Sequence, residues 1–283
     1  IYRLSKTLGK STYIVMDKDC PAIEPIVEGI YKERAEEEED IFVTNEEALL
    51  LKDKSAMLIV VDVNLPAMTE CPELLKSVST IVVLDHHRQN NETIKNAVVS
   101  YVEPYASSTC ERVAEILQYI VDKPKLKNIE ADAMYSGILV DTDNFVIKAG
   151  VRTFEAAAFL RRAGADVTRV RKMFREDMEH CRIRTAIINK AEIYMNEFAI
   201  STFDGVNVSG ATVVGAKAAN ALLNIQGIRG SFVLTSLQDC IYISARSINE
   251  LNVQVIMEKF NGGGHLTMAA AQLKNVTLEE AKQ

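Results

Sequence analysis

The sequence predicts an α/β protein in which a domain built on a parallel sheet is joined by a long helix to a smaller α/β domain. Two short apolar runs, Met57–Val61 and Ile81–Leu84, are typical of strands that are buried on both faces of a parallel sheet. Helix-like segments alternate with such runs in the first half of the chain, which favours helices on both sides of the sheet. With 283 residues the chain is long enough to form two hydrophobic cores.

The first predicted domain opens with the end of a helix, which Gly9 terminates. Its other elements follow from apolar runs, helical periodicity and turn residues. Strands are predicted at Thr12–Met16, Ile41–Val43, Met57–Val61, Ile81–Leu84 and Ala131–Val140. Helices are predicted at Pro21–Tyr31, from Asn45 onwards and at Ser108–Tyr119.

From Thr153 onwards the pattern is helical. One helix ends at Gly164, and a second, long helix is predicted from Asp166 to Met195 as the connector between the domains. The predicted boundaries are therefore 1–165 for the first domain, 166–196 for the connecting helix and 197–283 for the second domain. The second domain reads strand, helix, strand, strand, helix, strand, with helices at Ala211–Asn224 and Asn252–Phe260 and paired strands at Ser231–Gln238 and Cys240–Arg246.

The composition excludes several classes of protein. The net charge of −7 argues against duplex nucleic acid as a partner, because release of phosphate counterions requires a basic face. The five cysteines are scattered, so neither a disulfide framework nor a thiolate zinc site is expected, and a reducing cytoplasm is favoured. No apolar stretch reaches the roughly 18 residues that a membrane-spanning helix needs.

Acidic and imidazole side chains follow the apolar segments of the first domain. Asp62 and Asp85 come directly after predicted strands, Asp141 follows the apolar segment before it, and His86 and His87 follow Asp85. Ligands gather at the carboxyl ends of parallel strands, and converging carboxylates repel one another unless a cation bridges them. A lone aspartate would be read as a helix cap, and a lone histidine pair as ordinary strand-end residues. Their accumulation predicts a metal site, whose oxygen and imidazole ligands favour Mn²⁺ over Mg²⁺ or thiolate-bound zinc.

A second group of residues in the C-terminal domain is suited to an anion. Three glycines, Gly262–Gly264, precede His265 and free the backbone to present N–H groups, and a helix from Thr267 would add its positive end. Arg246 lies on a predicted strand and shares a face with Ser244, so its guanidinium could hold a phosphate with two hydrogen bonds. An ordinary turn and a surface arginine remain the alternatives for these two features.

Five motifs in chain order resemble those of the DHH/DHHA1 phosphoesterase family and together span most of the chain. They are Val61-Asp62-Val63-Asn64, Asp85-His86-His87, Ser107-Ser108-Thr109-Cys110-Glu111, Asp141-Thr142-Asp143-Asn144-Phe145 and Gly262-Gly263-Gly264-His265. The chain is most similar to the GdpP-type cyclic-di-AMP phosphodiesterases. The longer stretches 152–161, 244–247, 252–258 and 261–267 carry that closer resemblance.

The resemblance implies a two-manganese enzyme that opens cyclic-di-AMP to the linear dinucleotide pApA. It implies that Asp62, His86 and Asp141 are metal ligands, with Asp62 bridging. It also implies catalytic roles for Asp85 and His87, with His87 near the substrate phosphate. Substrate binding is expected from Arg246, Gly263, Gly264 and His265, with Ser108 and Asn144 as further candidates.

The resemblance also bears on the setting of the protein. Relatives of this type are membrane-anchored and carry sensory domains upstream, so we expect a cytoplasmic domain of a bacterial protein that meets a membrane only through upstream segments. A homodimer is compatible with the sequence. The chain begins at Ile1 without methionine and within a helix-like pattern, and we expect the family's first motif, His-x-x-x-Asp-x-Asp, upstream of it. Asp17 and Asp19 do not replace that motif, because no histidine is nearby.

Two other functions are weighed against this one. The same fold could hydrolyse short oligoribonucleotides or 3′-phosphoadenosine 5′-phosphate, which rates on different substrates would reveal. A sensor that binds a dinucleotide through Arg246 and the glycine turn without hydrolysing it is the alternative from another class.

Overall fold

A computed structural model of the chain describes residues 1–16, 23–33, 40–120, 125–248 and 251–282. Asp17, Asp19 and the predicted helix start at Pro21 lie outside the described residues. The chain divides into two compact units, Ile1–Arg175 and Glu176–Gln283.

Helices and short parallel strands make up the first unit. Its helices are α1 (Tyr2–Thr7), α2 (Glu24–Glu33), α3 (Asn45–Leu51), α4 (Pro72–Ser77), α5 (Thr109–Tyr119), α6 (Asn128–Asp141), α7 (Val151–Arg162) and α8 (Val167–Met173). Its strands are β1 (Ile14–Val15), β2 (Phe42–Val43), β3 (Met57–Val61), β4 (Thr80–Asp85) and β5 (Val99–Val102).

The three strands that position the candidate site form a parallel sheet in the order β3-β4-β5. Val61 pairs with Leu84, and Asp85 pairs with Val102, so the carboxyl ends of the three strands lie at one edge. β1 and β2 form a separate two-stranded parallel sheet. The predicted α/β fold class is confirmed, although the sequence analysis missed β5.

One predicted strand of the first unit is wrong. Ala131–Val140 is helical and lies within α6. The less buried Met134 and the exposed Val140 are apolar like the buried Ala131 and Ile138, so the helix lacks the polar face that would have revealed its period. The Glu130 carboxylate accepts a hydrogen bond of 2.8 Å from the backbone N–H of Lys127 at the helix start. Asp141 therefore comes from the end of a helix and not from the end of a strand.

The second unit is a mixed sheet with helices. Its helices are α9 (Met178–Asn189), α10 (Ala211–Leu222), α11 (Val253–Glu258) and α12 (Leu278–Lys282). Its strands are β6 (Glu192–Tyr194), β7 (Phe198–Asp204), β8 (Gly230–Leu237), β9 (Cys240–Ser247), β10 (Gly263–Gly264) and β11 (Met268–Lys274), in the order β10-β11-β9-β8-β7-β6. Only β7 and β8 pair in parallel, with α10 as their crossover.

The single connecting helix predicted over 166–196 is replaced by two helices and a strand. α8 ends at Met173, and α9 begins only at Met178. The side chain of Asp177 accepts a hydrogen bond of 2.9 Å from the backbone N–H of His180, which is the geometry of a new helix cap. The cap starts a second helix because it satisfies a free backbone donor at that point.

The helices of the chain are short relative to the thickness of a bilayer. Within the described ranges, none is both long enough and apolar enough to cross a bilayer.

Candidate metal centre

Asp85, the last residue of β4, is completely buried. One carboxylate oxygen accepts hydrogen bonds from the backbone N–H of His86 at 2.7 Å and from Nδ1 of His87 at 2.8 Å. The other accepts from Nδ2 of Asn64 at 2.6 Å. Burial acts to raise the pKa of Asp85, but the hydrogen bonds from His87 and His86 outweigh it and hold the pKa below its ordinary value. Asp85 is enclosed, and its hydrogen bonds place it to orient the histidines. The catalytic role expected of it stays a prediction.

His86 has one ring nitrogen without a partner. Its Nδ1 lies 3.4 Å from the carbonyl oxygen of Ala106. Its Nε2 lies 3.6 Å from an oxygen of Asp62 and 3.7 Å from an oxygen of Asp141. Among the described residues Nε2 makes no hydrogen bond, although it is buried. A buried ring nitrogen that lies between two carboxylates and makes no hydrogen bond has the arrangement expected of a metal ligand.

Asp62 is turned out of the sheet by its backbone. Its φ of 64° is in the left-handed region, which costs a non-glycine residue roughly 1–2 kcal/mol. Its N–H still donates to the carbonyl oxygen of Leu84 at 3.0 Å, so the chain turns only after this pairing. Strain of this kind is often kept where a side chain must be aimed at a functional site.

Asp141 ends α6 with its side chain 31% exposed. Burial raises the pKa of Asp141, the charge of His86 opposes that rise, and the negative charge of Asp62 adds to it. A divalent cation would relieve the repulsion that Asp141 experiences from the neighbouring carboxylate.

The residues present fit a divalent cation. Within the described part of the chain, Asp62, His86 and His87 each offer a ligand atom, and these atoms lie within 4.8 Å of one another. Asp141 lies beside the same nitrogen of His86. The structure thus brings together the three predicted ligands and adds His87, which the sequence analysis treated only as a catalytic residue.

His87 is held by Asp85 through Nδ1, and its side chain is 39% exposed. The hydrogen bond that Nδ1 donates to the Asp85 carboxylate raises the pKa of His87, burial opposes the rise, and the negative charges of Asp85, Asp62 and Asp141 add to it. The ring is therefore oriented through Nδ1.

A pH dependence of stability follows for the metal-free protein. With a raised pKa in the folded state, His87 stabilises the fold below the ordinary histidine value near 6.5, and this contribution is lost as the pH rises through the raised value. In EDTA, we expect the urea midpoint of the unaltered protein to fall more between about pH 6 and about pH 8 than that of His87→Gln. Parallel midpoints over this interval would contradict the prediction.

Two further candidates differ in their placement. Ser108 is completely buried, and its hydroxyl accepts a hydrogen bond of 3.0 Å from the backbone N–H of Glu111 as the cap of α5. The structure thus gives Ser108 a local capping role, and its contact with substrate stays a prediction. Asn144 is exposed in the turn after Asp141, with a left-handed φ of 59°.

An ion network ties the strands of the site to the helices around it. Arg112 on α5 is completely buried and pairs with Glu103 and, at 2.8 Å, with Glu115. Arg152 on α7 pairs with the same two carboxylates at 2.7 and 2.6 Å. The backbone N–H of Glu103 donates to the carbonyl oxygen of Asp85 at 3.1 Å, so the network reaches the metal centre.

In the second unit Arg246 lies on β9, opposite Met268 of β11. Its Nε donates to the side-chain oxygen of Asn220 on α10 at 2.7 Å, and one Nη donates to the carbonyl oxygen of Ala245 at 2.9 Å. These contacts fix the direction of the guanidinium, a half-buried group.

The glycine turn next to Arg246 is a hairpin and not the start of a helix. Gly263 and Gly264 form β10, which pairs antiparallel with Ala270 and Ala269 of β11. The helix predicted from Thr267 is therefore wrong, because β11 extends the sheet from Met268. The backbone N–H of His265 donates to the carbonyl oxygen of Met268 at 2.7 Å and closes the turn.

Family models match both units. The model described as "DHH family, N-terminal domain" matches residues 2–138, and the model described as "DHHA1 domain" matches residues 204–283. The chain belongs to the DHH/DHHA1 phosphoesterase family. Asp62, His86 and His87 lie within the first match and Asp141 lies just beyond its end, while Arg246 and the glycine turn lie within the second match.

Relatives within this family carry closely related names. The cyclic-di-AMP phosphodiesterase PdeA of Listeria monocytogenes is 41% identical over 286 residues, which are 100% of this chain and 43% of the relative. The cyclic-di-AMP phosphodiesterase GdpP of Geobacillus thermodenitrificans is 44% identical over 239 residues, which are 84% of this chain and 36% of the relative. The chain thus spans about two fifths of the length of these relatives.

A solved structure supports the fold. The exopolyphosphatase-related protein of Bacteroides fragilis has a TM-score of 0.74 at 18% identity, covering 98% of this chain and 92% of that chain. At this identity the likeness concerns the fold alone.

Sequence reasoning missed the residues that orient the site. Asn64 in the DHH domain is buried and donates to the Asp85 carboxylate and, at 3.2 Å, to the carbonyl oxygen of His87. Asn220 in the DHHA1 domain holds Arg246. The position of Asn64, two residues after Asp62, was the available signal, whereas Asn220 lies in an ordinary helix and gave none.

The glycines of the DHHA1 turn are not equivalent. A Cβ on Gly262 would lie 2.1 Å from the carbonyl oxygen of Ala270, whereas a Cβ on Gly263 would meet nothing within 4 Å. We expect Gly262→Ala to lower the free energy of unfolding by about 1–3 kcal/mol through overpacking, and Gly263→Ala to leave it nearly unchanged. Urea unfolding of both variants would check this, and equal losses would show that the close approach of β10 to β11 is not rigid.

Proposed function

We propose that this chain is the catalytic region of a metal-dependent phosphodiesterase that hydrolyses cyclic-di-AMP to pApA. The buried, unpartnered Nε2 of His86 between Asp62 and Asp141 carries the proposal, because a metal-dependent phosphodiesterase needs such a group. The choice of substrate rests on two relatives that share 41% and 44% identity with the chain and are named for this activity.

Asp62, His86 and Asp141 would hold the metal, which we propose is Mn²⁺ at two sites in the active enzyme. A bound divalent cation supplies charge neutralisation at the phosphoryl oxygens and lowers the pKa of water. In the overall reaction, the oxygen of water becomes bonded to phosphorus, one P–O3′ bond breaks, and the 3′-hydroxyl leaves with a proton.

The side chains of the DHH domain would prepare this step. Asp85 holds Nδ1 of His87 and favours the protonated ring, so Nε2 would donate a hydrogen bond to a phosphate oxygen. Asn64 holds the opposite oxygen of Asp85 and keeps the pair in one orientation. Replacing Asp85 would therefore change activity indirectly, through the orientation of the histidines.

In the DHHA1 domain, Arg246 would bind a phosphate of the substrate, and the backbone of Gly263, Gly264 and His265 would bind beside it. The open space at Gly263 is compatible with a close ligand. Asn144 in the DHH domain stays a further candidate for substrate contact.

The proposal places this region in the cytoplasm of a bacterium. Four cysteines lie within the described ranges, and all four are free, as is usual in a reducing compartment.

The deciding experiment follows cyclic-di-AMP with Mn²⁺ and with EDTA, and identifies the product. It uses this chain and the same chain preceded by whatever sequence its gene encodes before Ile1. Metal-dependent formation of pApA in either form is the expected result. Binding without turnover would favour a sensor. Faster hydrolysis of short oligoribonucleotides or 3′-phosphoadenosine 5′-phosphate would favour the other substrates of the fold.

A further inference from the structure

The peptide group between Ala106 and Ser107 connects the metal centre to a buried carboxylate. Its carbonyl oxygen, on Ala106, lies 3.4 Å from Nδ1 of His86. Its N–H, on Ser107, donates to Oε2 of Glu111 at 3.4 Å. Among the described residues every peptide bond is trans, and a trans peptide directs its N–H and its C=O to opposite sides. One rigid group therefore has His86 at one end and Glu111 at the other.

Further contacts fix Glu111 at its end of this peptide. Its side chain is 3% exposed. Its Oε2 also accepts hydrogen bonds from the hydroxyl of Ser107 at 2.5 Å and from the hydroxyl of Thr153 on α7 at 2.7 Å. The Thr153 oxygen in turn accepts from the backbone N–H of Gly150 at 3.0 Å. The other oxygen of Glu111 lies 3.5 Å from an Nη of Arg112. The carboxylate is thus held by groups from both α5 and α7.

Ordinary helix capping does not explain where this carboxylate points. Ser108 caps α5, since its hydroxyl accepts from the backbone N–H of Glu111 at 3.0 Å. In a capping box the third residue of the helix returns that contact to the N–H of the cap itself. The Glu111 carboxylate instead reaches Ser107, one residue before the cap. Its contact therefore orients a peptide group outside the helix, and this is the group that meets His86.

The same arrangement decides which nitrogen of a neutral His86 ring carries the proton. A carbonyl oxygen can only accept, so Nδ1 donates to Ala106 and Nε2 keeps a lone pair. Nε2 is the nitrogen that lies beside Asp62 and Asp141. A histidine that binds a metal usually donates its other N–H to a carboxylate or a backbone carbonyl, which fixes the ring and strengthens the ligand. Here a carboxylate stands behind the carbonyl, and hydrogen bonds in such a chain polarise one another.

We propose that Glu111 is a positioning residue for metal binding, which acts on His86 through the peptide between Ala106 and Ser107. This inference rests on the proposed function, in which His86 is a metal ligand. It deepens that function by assigning control of the ligand to a carboxylate on another segment of the chain. The alternative is that Glu111 only stabilises the fold through Thr153 and Arg112, in which case metal affinity would not depend on it.

The test compares Glu111→Gln and Glu111→Ala with the unaltered protein, in the chain preceded by whatever sequence its gene encodes before Ile1. Glutamine keeps an acceptor oxygen of the same reach without the charge, whereas alanine loses both. Leu117→Val is the matched control, because Leu117 is a buried residue of the same helix in an apolar cluster with Leu84 and Val113. This control loses packing energy without losing a hydrogen bond.

Two readouts do not depend on turnover. Electron paramagnetic resonance of free Mn²⁺ gives the dissociation constant of the metal at a temperature where each variant is folded. Proton NMR of the protein loaded with diamagnetic Zn²⁺ follows the N–H on Nδ1 of His86, which is assigned by its loss in His86→Ala. Melting temperatures of all variants show how far each one is destabilised.

We expect Glu111→Ala to raise the dissociation constant of Mn²⁺ about 10–100-fold, as for other residues that support metal ligands, and Glu111→Gln to raise it by a smaller factor. The Nδ1 proton of His86 should move upfield in Glu111→Gln, because the carbonyl of Ala106 becomes a weaker acceptor when the charge behind it is lost. Leu117→Val should lower the melting temperature and leave both the metal affinity and the NMR signal unchanged.

Unchanged Mn²⁺ affinity in both Glu111 variants would overturn the inference. Weaker affinity with an unmoved Nδ1 proton in Glu111→Gln would overturn it as well, since the effect would not pass through Ala106. An equal loss of affinity in Leu117→Val would assign the loss to destabilisation of the helix and would also contradict the inference. Failure of the proposed function would appear in the unaltered protein as absence of cyclic-di-AMP hydrolysis, whereas failure of this inference appears only in the comparison among the variants.

Discussion

Replacing His86 with alanine is expected to reduce metal-dependent turnover by more than about a hundredfold, since even changes to residues that only support metal ligands cost 10–100-fold. Nε2 of His86 lies 3.6 Å from an oxygen of Asp62 and 3.7 Å from an oxygen of Asp141, so its removal leaves two carboxylates without the shared imidazole. Metal affinity should fall with activity. The thermal stabilisation that Mn²⁺ gives to the unaltered protein should shrink in the variant, because that stabilisation depends on the ratio of metal concentration to dissociation constant.

His180→Ala serves as the control for this experiment. His180 lies on α9 of the second unit, where its Nε2 contacts the carbonyl oxygen of Ser209 at 2.9 Å. The control should retain both turnover and the Mn²⁺-dependent rise in melting temperature. If His86→Ala kept its metal-dependent stabilisation, the assignment of His86 as a ligand would be wrong.

Arg112→Ala is expected to lower the free energy of unfolding by about 3–5 kcal/mol. Arg112 is completely buried, and its guanidinium also donates to the hydroxyl of Tyr101 at 2.8 Å. Without it, the buried carboxylate of Glu111 and the partly buried carboxylates of Glu103 and Glu115 repel one another. Arg152 pairs with Glu103 and Glu115. Removing one member of a buried ion network costs far more than removing an exposed pair.

Urea unfolding with and without Mn²⁺ would measure this loss. Arg162→Ala is the matched control, because Arg162 is an exposed residue in the last turn of α7, and it should change stability by less than about 0.5 kcal/mol. Arg112→Lys should fall between the two, since lysine keeps the charge but cannot form the planar fork. Equal stability of Arg112→Ala and Arg162→Ala would mean that the network does not stabilise the DHH domain.

Strands were predictable where local pattern and tertiary environment agree. β3 and β4 are continuous apolar runs ended by a carboxylate, and both are where the sequence predicts them. α6 was mistaken for a strand because apolar residues such as Met134 and Val140 also occupy its less buried positions, so no polar face marks its period. β5, with the sequence Val-Ser-Tyr-Val, was missed because three of its four residues are exposed and no continuous apolar run marks it.

The candidate site shows the same division. Asp62, His86 and Asp141 were predicted as ligands from their residue types and motifs. The structure places oxygens of both aspartates close to Nε2 of His86. The sequence placed Asp141 after a strand, whereas the end of α6 delivers it. A cation can bind Asp141 whether the residue ends a strand or a helix, because only the position of the carboxylate matters for coordination.

The sequence by itself determined the α/β class, the family and the chemical types gathered at the site, since these depend on apolar runs and on residue identities close together along the chain. Only the tertiary structure decided which residues hold the site residues in place. Asn64 and Asp85 meet across 21 positions, and Arg152 reaches Glu103 across 49. Such contacts depend on how helices pack on a sheet, and neither local propensity nor periodicity records the distance between segments far apart in the chain.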